Sequence, residues 1–328
     1  MEITNIKARV SINSHGISEA CTGLVQELTD TVEYSFKDRA SGFLALIRPL
    51  FFILTPINAA SAAVLALRGY PSITKCFFGF FAVAFASCAV NVFNDYLDRE
   101  RDKEIWPARP IPGGRVKPHE ALLVVIISLA ISLSITWMVF NPTAFSILLL
   151  AIILGGFYSF YLRKRVGYLS LPPIVGLIYL GGWAAFSPET LFSSVIPWYL
   201  YLLGVIWQAA HIMIYYPLHI IPDVNKKSAE KVPPALFFKP SPKIAVKIGV
   251  IFTCLTLLVS ALLPFVAHLS AFYTIPVIAA GIYALVSGLK LLKSPLNKKQ
   301  GIAAFKSLSI FRLVISAAIL LFVCIGQN

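Results

Sequence analysis

Long apolar runs alternate with short polar breaks along most of this chain. Runs of spanning length recur at about residues 43–67, 74–97, 119–140, 143–162, 168–187, 194–217, 244–265, 268–292 and 303–325. About twenty apolar residues cross the hydrocarbon core of a bilayer as a helix, so the pattern predicts about nine transmembrane helices. The breaks differ in kind. One set is basic: Arg99 to Lys117, Arg163-Lys164-Arg165, Lys226 to Lys243, and Lys290 to Lys306. The other set is short and nearly uncharged, around Asn141-Pro142, Ser187-Pro188-Glu189 and Ala267-His268-Leu269. Basic loops stay on the cytoplasmic side, so the N-terminus is expected inside and Gln327-Asn328 outside. Residues 1–41 lack an apolar core after the first Met and carry Glu2, Glu19, Glu27, Asp30, Glu33 and Asp38. That predicts no secretory signal, argues against an acid-poor transit peptide, and makes a cytoplasmic tail ahead of a membrane domain at 42–328 the expectation. The default location is a plasma membrane.

Composition supports this reading. The 328 residues are 58% hydrophobic and only 13% charged, against roughly a quarter charged in soluble domains. The net charge of +13 sits in short loops, so it fits membrane orientation and anionic lipid headgroups, not nucleic acid. Cys21, Cys76, Cys88, Cys254 and Cys324 form no CxxC pair and imply no disulfide framework. Gly155-Gly156 and Gly181-Gly182 read as close-packing points between helices. Pro56, Pro172-Pro173, Pro264 and Pro276 are expected to kink helices.

The chemistry concentrates at the end of the second run, in Asn94-Asp95-Tyr96-Leu97-Asp98-Arg99-Glu100-Arg101-Asp102. Asn94, Asp98 and Asp102 share a helical face, which Ser87 and Asn91 extend back into the membrane. Carboxylates near bilayer depth mark function by default. A stripe of oxygen ligands suits Mg²⁺, which takes one or two carboxylates and leaves its other positions to water and substrate phosphate. The plain alternative is a solvated helix end balanced by Arg99, Arg101 and Lys103. The next segment, Trp106 to Val116, is stiffened by Pro107, Pro110, Pro112, Gly113 and Gly114 and carries Arg109 and Arg115. Guanidinium groups on such a loop fork onto phosphate oxygens.

Asn94-Asp95-x-x-Asp98-x-x-x-Asp102, followed by Arg109-Pro110-Ile111-Pro112-x-Gly114-Arg115, resembles the first signature of the UbiA superfamily of intramembrane prenyltransferases. Arg48-Pro49, with Asn58 further along, resembles that family's opening Arg-Pro feature. The resemblance covers roughly residues 43–325. It implies an all-α membrane bundle of nine helices around a central cavity, with Asp-rich motifs on helices two and six. It also implies Mg²⁺-dependent transfer of a prenyl group from an isoprenyl diphosphate to an aromatic or other lipophilic acceptor. The loops after those two helices, 98–118 and 218–243, are the two longest between helices.

The second motif departs from the family pattern. At Ile220-Ile221-Pro222-Asp223-Val224-Asn225-Lys226-Lys227 only Asp223 matches, and a lysine stands at the last acidic position. Three alternatives stay open. Asp223, with or without His219, holds a second metal; Lys227 contacts the diphosphate itself; or the chain has left ordinary diphosphate chemistry. The stretch Gly155 to Arg165 resembles the family's Tyr-rich segment. It offers Tyr158 and Tyr161 as ring faces for an allylic cation and Lys164 as a diphosphate contact, although aromatics at this depth also form interfacial belts.

The expected assignment is therefore Asn94, Asp98, Asp102 and Asp223 on Mg²⁺. Arg109, Arg115 and Lys164 take the phosphate oxygens, and Arg48, Asn91, Asp95, Tyr158, Tyr161, His219 and Lys227 complete the substrate site. A terpene cyclase on the same scaffold, and a non-catalytic lipid-binding protein or transporter, are the competing functions. The acceptor is not legible.

Overall fold

The computed structural model describes residues 34–219 and 233–323. They form ten helices of ten residues or more. These are α1 (Phe36–Ile47), α2 (Pro49–Leu67), α3 (Ile73–Ile105), α4 (Pro118–Val139), α5 (Pro142–Phe157), α6 (Pro172–Ala184), α7 (Val195–Tyr215), α8 (Pro242–Ala267), α9 (Thr274–Lys293) and α10 (Lys298–Phe322). Among the described residues, eight segments are long and apolar enough to cross a membrane, and the shorter Tyr168–Ala184 makes a ninth apolar helix. The protein is an integral membrane protein, and the nine runs read from the sequence all fall on these helices, the first on α1 and α2 together.

Local chemistry sets the helix starts. Ser35, Ser72, Asn141, Ser194, Ser241 and Asn297 each accept a backbone N–H of the turn that follows, satisfying a donor the helix itself cannot. Pro49, Pro118, Pro142, Pro172 and Pro242 occupy the first turn, where a missing N–H costs nothing. Pro172-Pro173 therefore open a helix instead of bending one, and Pro276 lies in the first turn of α9; of the four proline sites expected to kink helices, Pro56 and Pro264 lie inside them. The Ser35 cap starts α1 at Phe36, inside the segment assigned to the tail.

The first span is broken at Arg48. Proline disfavours helical geometry in the residue before it, and Arg48 adopts the left-handed conformation (φ 53°, ψ 72°) between α1 and α2. A non-glycine residue rarely holds this geometry without tertiary support. Here an ion pair from Arg48 to α3 supplies that support.

Helices pack in sequence around the bundle, α2 with α3 and α6, α3 with α4, α6 with α7, α7 with α8, α8 with α9 and α9 with α10. The last helix, α10, returns to α2 and α7 and closes the arrangement. Large apolar side chains such as Trp137, Met138, Phe160 and Phe265 point outward, while Ser61, Ser132, Thr256, Ser260, Ser307 and Ser316 are buried. Small residues inside and large ones outside is the pattern of helices that associate within lipid, where close backbone approach replaces hydrophobic burial. Gly182 shows the closest such approach. A Cβ there would overlap the backbone carbonyl of Ala59 on α2. Gly182→Val is expected to force α2 and α6 apart and to cost about 1–3 kcal/mol or more, the scale of overpacking. A lowered thermal midpoint of the detergent-solubilised protein would show it. An unchanged midpoint would mean that this contact does not set the α2–α6 distance.

Candidate functional site

Helix α3 continues past the apolar run to Ile105, so Asn94, Asp95, Asp98 and Asp102 all lie on one uninterrupted helix. All three aspartates are buried, Asp102 completely. Three carboxylates held out of water need counter-charges, and four arginines from four chain segments provide them.

Arg163, 3% exposed, forks onto Asp98 with Nη1 and Nη2 each 2.5 Å from a carboxylate oxygen. Its Nη1 also donates to Asn94 Oδ1 at 2.7 Å. Arg109 donates to Asp102 at 2.5 Å and lies 3.5 Å from Asp95. Arg48 donates to Asp95 at 2.5 Å, and this contact holds the break between α1 and α2. Arg101 Nη2 lies 2.9 Å from Asp98 and 3.4 Å from Asp102. Asp98 and Asp102 therefore converge on a single cationic nitrogen.

The loop after α3 is built to aim Arg109. Trp106 N–H closes the helix on Asp102 O at 2.7 Å, and Gly113 N–H returns to Arg109 O at 2.9 Å. Ile111 and Val116 anchor the loop in a core with Leu46, Val92 and Ala121. Arg115, expected on phosphate, instead donates to Ala108 O at 2.8 Å and reaches Ser41 on α1 at 3.5 Å. It braces the loop and stands apart from the carboxylates. Asn91 turns back to Ser87 O at 2.8 Å, and Ser87 meets Thr55 of α2 at 3.3 Å, which leaves Asn91 outside the cluster.

At the end of α5 the structure selects differently among the basic residues. A π-helical turn, Tyr158–Leu162, follows α5. Beyond it Arg163 points inward, and Lys164, the residue singled out from sequence, is exposed. Tyr158 is buried, whereas Tyr161 is 46% exposed and stacks on Phe157 with ring centroids 5.4 Å apart, facing outward. Arg163 and Arg101 are thus functional candidates that sequence spacing did not single out. Both were visible in basic stretches, but nothing in the residue pattern marks the π turn that sets which cation faces in.

Gly167 follows with φ 125°, and a Cβ there would collide with Pro234 and Ala235. That close approach lets Tyr168 N–H bond Pro234 O at 3.0 Å, Leu169 N–H bond Ala235 O at 2.8 Å and Phe237 N–H bond Val166 O at 2.6 Å. The segment leading into α8 is thereby fastened beside Arg163. Asp223 and Lys227 lie outside the described residues. His219 ends the turn Tyr216–His219, and its side chain also lies outside them.

The donor set is all oxygen: Asn94 Oδ1 and the carboxylates of Asp98 and Asp102. It suits a hard cation that shares its shell with phosphate. Among the described residues no three His, Cys, Asp or Glu side chains cluster closely enough to hold a metal ion by themselves. Among the described residues, Arg101 and Arg163 each keep a buried Nε–H without an acceptor. Unsatisfied guanidinium donors beside hard oxygen ligands make a receptor for a polyanion carrying its own cation.

A profile described as the UbiA prenyltransferase family matches residues 53–313. A protoheme IX farnesyltransferase of Paenarthrobacter aurescens (strain TC1) is 28% identical over 298 residues, covering 87% of this chain and 88% of that protein. The apo structure of a UbiA homolog from Aeropyrum pernix K1 superposes with a TM-score of 0.67 at 20% identity, over 82% of this chain and 97% of the other. A UbiA homolog from Archaeoglobus fulgidus bound to GPP and Mg²⁺ gives a TM-score of 0.58 at 18% identity, over 86% and 99%. With that profile matched over most of its length, the chain belongs to the UbiA prenyltransferase family.

Proposed function

We propose that this chain transfers a prenyl group from an isoprenyl diphosphate to a lipophilic acceptor, with loss of diphosphate, and that Mg²⁺ is its cofactor. The observation that carries the reading is the buried meeting of Asp95, Asp98 and Asp102 with Arg48, Arg101, Arg109 and Arg163 at one end of the bundle. Asn94, Asp98 and Asp102 would hold Mg²⁺, with Asp223 joining from the other motif and Lys227 facing the diphosphate. Bound there, the ion supplies charge neutralisation for the leaving group.

The arginines do the rest. Arg101, Arg109 and Arg163 exchange a carboxylate partner for diphosphate oxygens, and their fixed forks stabilise the anion more as the C–O bond breaks than before it does. The allylic cation left behind lies among apolar side chains and the ring of Tyr158, away from water. The acceptor attacks that cation and then loses a proton. Farnesyl as donor and protoheme as acceptor are the pair suggested by the name of the curated relatives. The basic loops, and the site with them, face the cytoplasm, and the host membrane is the plasma membrane.

Diphosphate release by the purified protein tests the reading. Farnesyl, geranyl and geranylgeranyl diphosphate would be presented in turn with protoheme IX or a membrane extract. Release is expected to need Mg²⁺ and to fall to background with EDTA. Release without transfer, yielding a prenyl hydrocarbon or alcohol, would favour the cyclase that the altered residues at 220–227 leave open. No release with any donor would reject catalysis in favour of lipid binding.

A further inference from the structure

Halfway through the bundle lies a cation for which diphosphate chemistry has no use. Arg312 sits near the middle of α10 (Lys298–Phe322), opposite Asn58 at the middle of α2 (Pro49–Leu67). A guanidinium at this depth costs about 2.5–3.5 kcal/mol on insertion scales and is normally paired. Among the described residues no carboxylate pairs with Arg312. Its Nε donates to Asn58 Oδ1 at 2.9 Å, but that oxygen also accepts from Ser316 at 3.0 Å and Tyr179 at 3.2 Å. One amide oxygen with two lone pairs is oversubscribed by three donors and carries no charge to neutralise an arginine. The Trp207 ring lies 4.3 Å from the guanidinium carbon, a contact that orients the cation without satisfying its N–H groups. Arg312 Nη2 is buried and, among the described residues, has no hydrogen-bond partner. A cavity of about 30 Å³, lined by Arg312, Asn58, Trp207, Ser309 and Thr55 among others, adjoins it. That space is on the scale of a small polar group.

We propose that Arg312 is an anchor for a carboxylate of the acceptor, received in this mid-membrane cavity beside Asn58 and Trp207. Neither the diphosphate nor a lipid phosphate reaches it. Asn58 lies ten residues along α2 from Arg48, roughly 15 Å at the rise of an α-helix, so a diphosphate held at the carboxylate cluster is too far away. Lipid phosphates stay at the bilayer surface, about 15 Å from its midplane. An acid carried on a lipophilic body is the class of ligand that arrives here. The inference rests on the prenyl-transfer reading, and it adds a requirement: the acceptor is an acid, and its acid group is buried away from the reacting end.

Protoheme IX, a lipophilic ring bearing two carboxylates, and its dimethyl ester are the probes. Absorbance titration of the detergent-solubilised full chain, with no donor present, reads binding without catalysis. Wild-type protein is expected to bind the diacid at least ~10-fold more tightly than the diester, the scale of one buried charge-assisted hydrogen bond. Arg312→Gln is expected to bring the two within ~2-fold, and Arg312→Lys to keep part of the preference because the charge remains. Equal affinity of the wild type for both probes, or none for either, overturns the proposal without recourse to a variant. So does a diacid preference that persists in a well-folded Arg312→Gln protein. Mg²⁺-dependent diphosphate release by the same preparations separates such a failure from failure of prenyl transfer itself.

Discussion

Asp98→Asn is expected to lower Mg²⁺-dependent diphosphate release by on the order of 10²–10³-fold, the usual penalty for removing one preorganised electrostatic contact from an active site. Asp98 is buried, accepts both forks of Arg163 and shares Arg101 with Asp102. Asparagine has the same shape but half the acceptor capacity and no charge. The metal shell would lose a carboxylate and the arginines a counter-charge, both at the reacting centre. Lys164→Ala, which alters an exposed neighbour of Arg163, is expected to change the rate less than ~3-fold, as for a surface charge. Equal losses in the two variants would mean that the inward-facing cation has been assigned to the wrong residue. Full activity in Asp98→Asn would remove the metal assignment altogether.

The largest expected effect on stability is that of Arg163→Ala. It would strand Asp98, 4% exposed, without its bidentate partner, and breaking a buried pair by removing one member typically costs about 3–5 kcal/mol. Arg163→Lys would keep charge but not the fork, and should fall between. The informative variant is the double replacement, Asp98→Asn with Arg163→Ala. Removing both partners eliminates the isolated charge, so its thermal midpoint should recover much of what the single Arg163 variant loses, while activity stays absent. If the two losses simply add, Asp98 and Arg163 are not coupled and the pairing is not what holds α5 to α3.

The parts of this fold that the sequence made legible are those with a local cause. Apolar runs near twenty residues marked the spans, and Ser, Asn and Pro before them explain their starts. The i, i+4 spacing of Asn94, Asp98 and Asp102 already placed the site on one face of α3. What depended on tertiary context was not legible. No pattern in Arg163-Lys164-Arg165 shows that a π turn will deliver the first of them inward. Arg115 looked like a second phosphate clamp because its role, bracing Ala108 and Ser41, depends on how the loop folds back. Arg312 stood unremarked in an apolar run, since its meaning comes from Asn58 more than two hundred and fifty residues away. Long-range pairs decide the polar interior, and a periodicity read along one helix cannot see them.

The stitching of residues 166–169 to 234–237 has a consequence for how this protein can diverge. Those bonds run between main-chain atoms, so apart from the bare Cα of Gly167, the left-handed backbone of Phe237 and the N–H groups that proline lacks, they ask little of side-chain identity. A lineage could rewrite the letters on either side of such a seam, exchanging acids for lysines, while the attachment beside Arg163 persists. Novelty in substrate handling can then accumulate without first dismantling the scaffold.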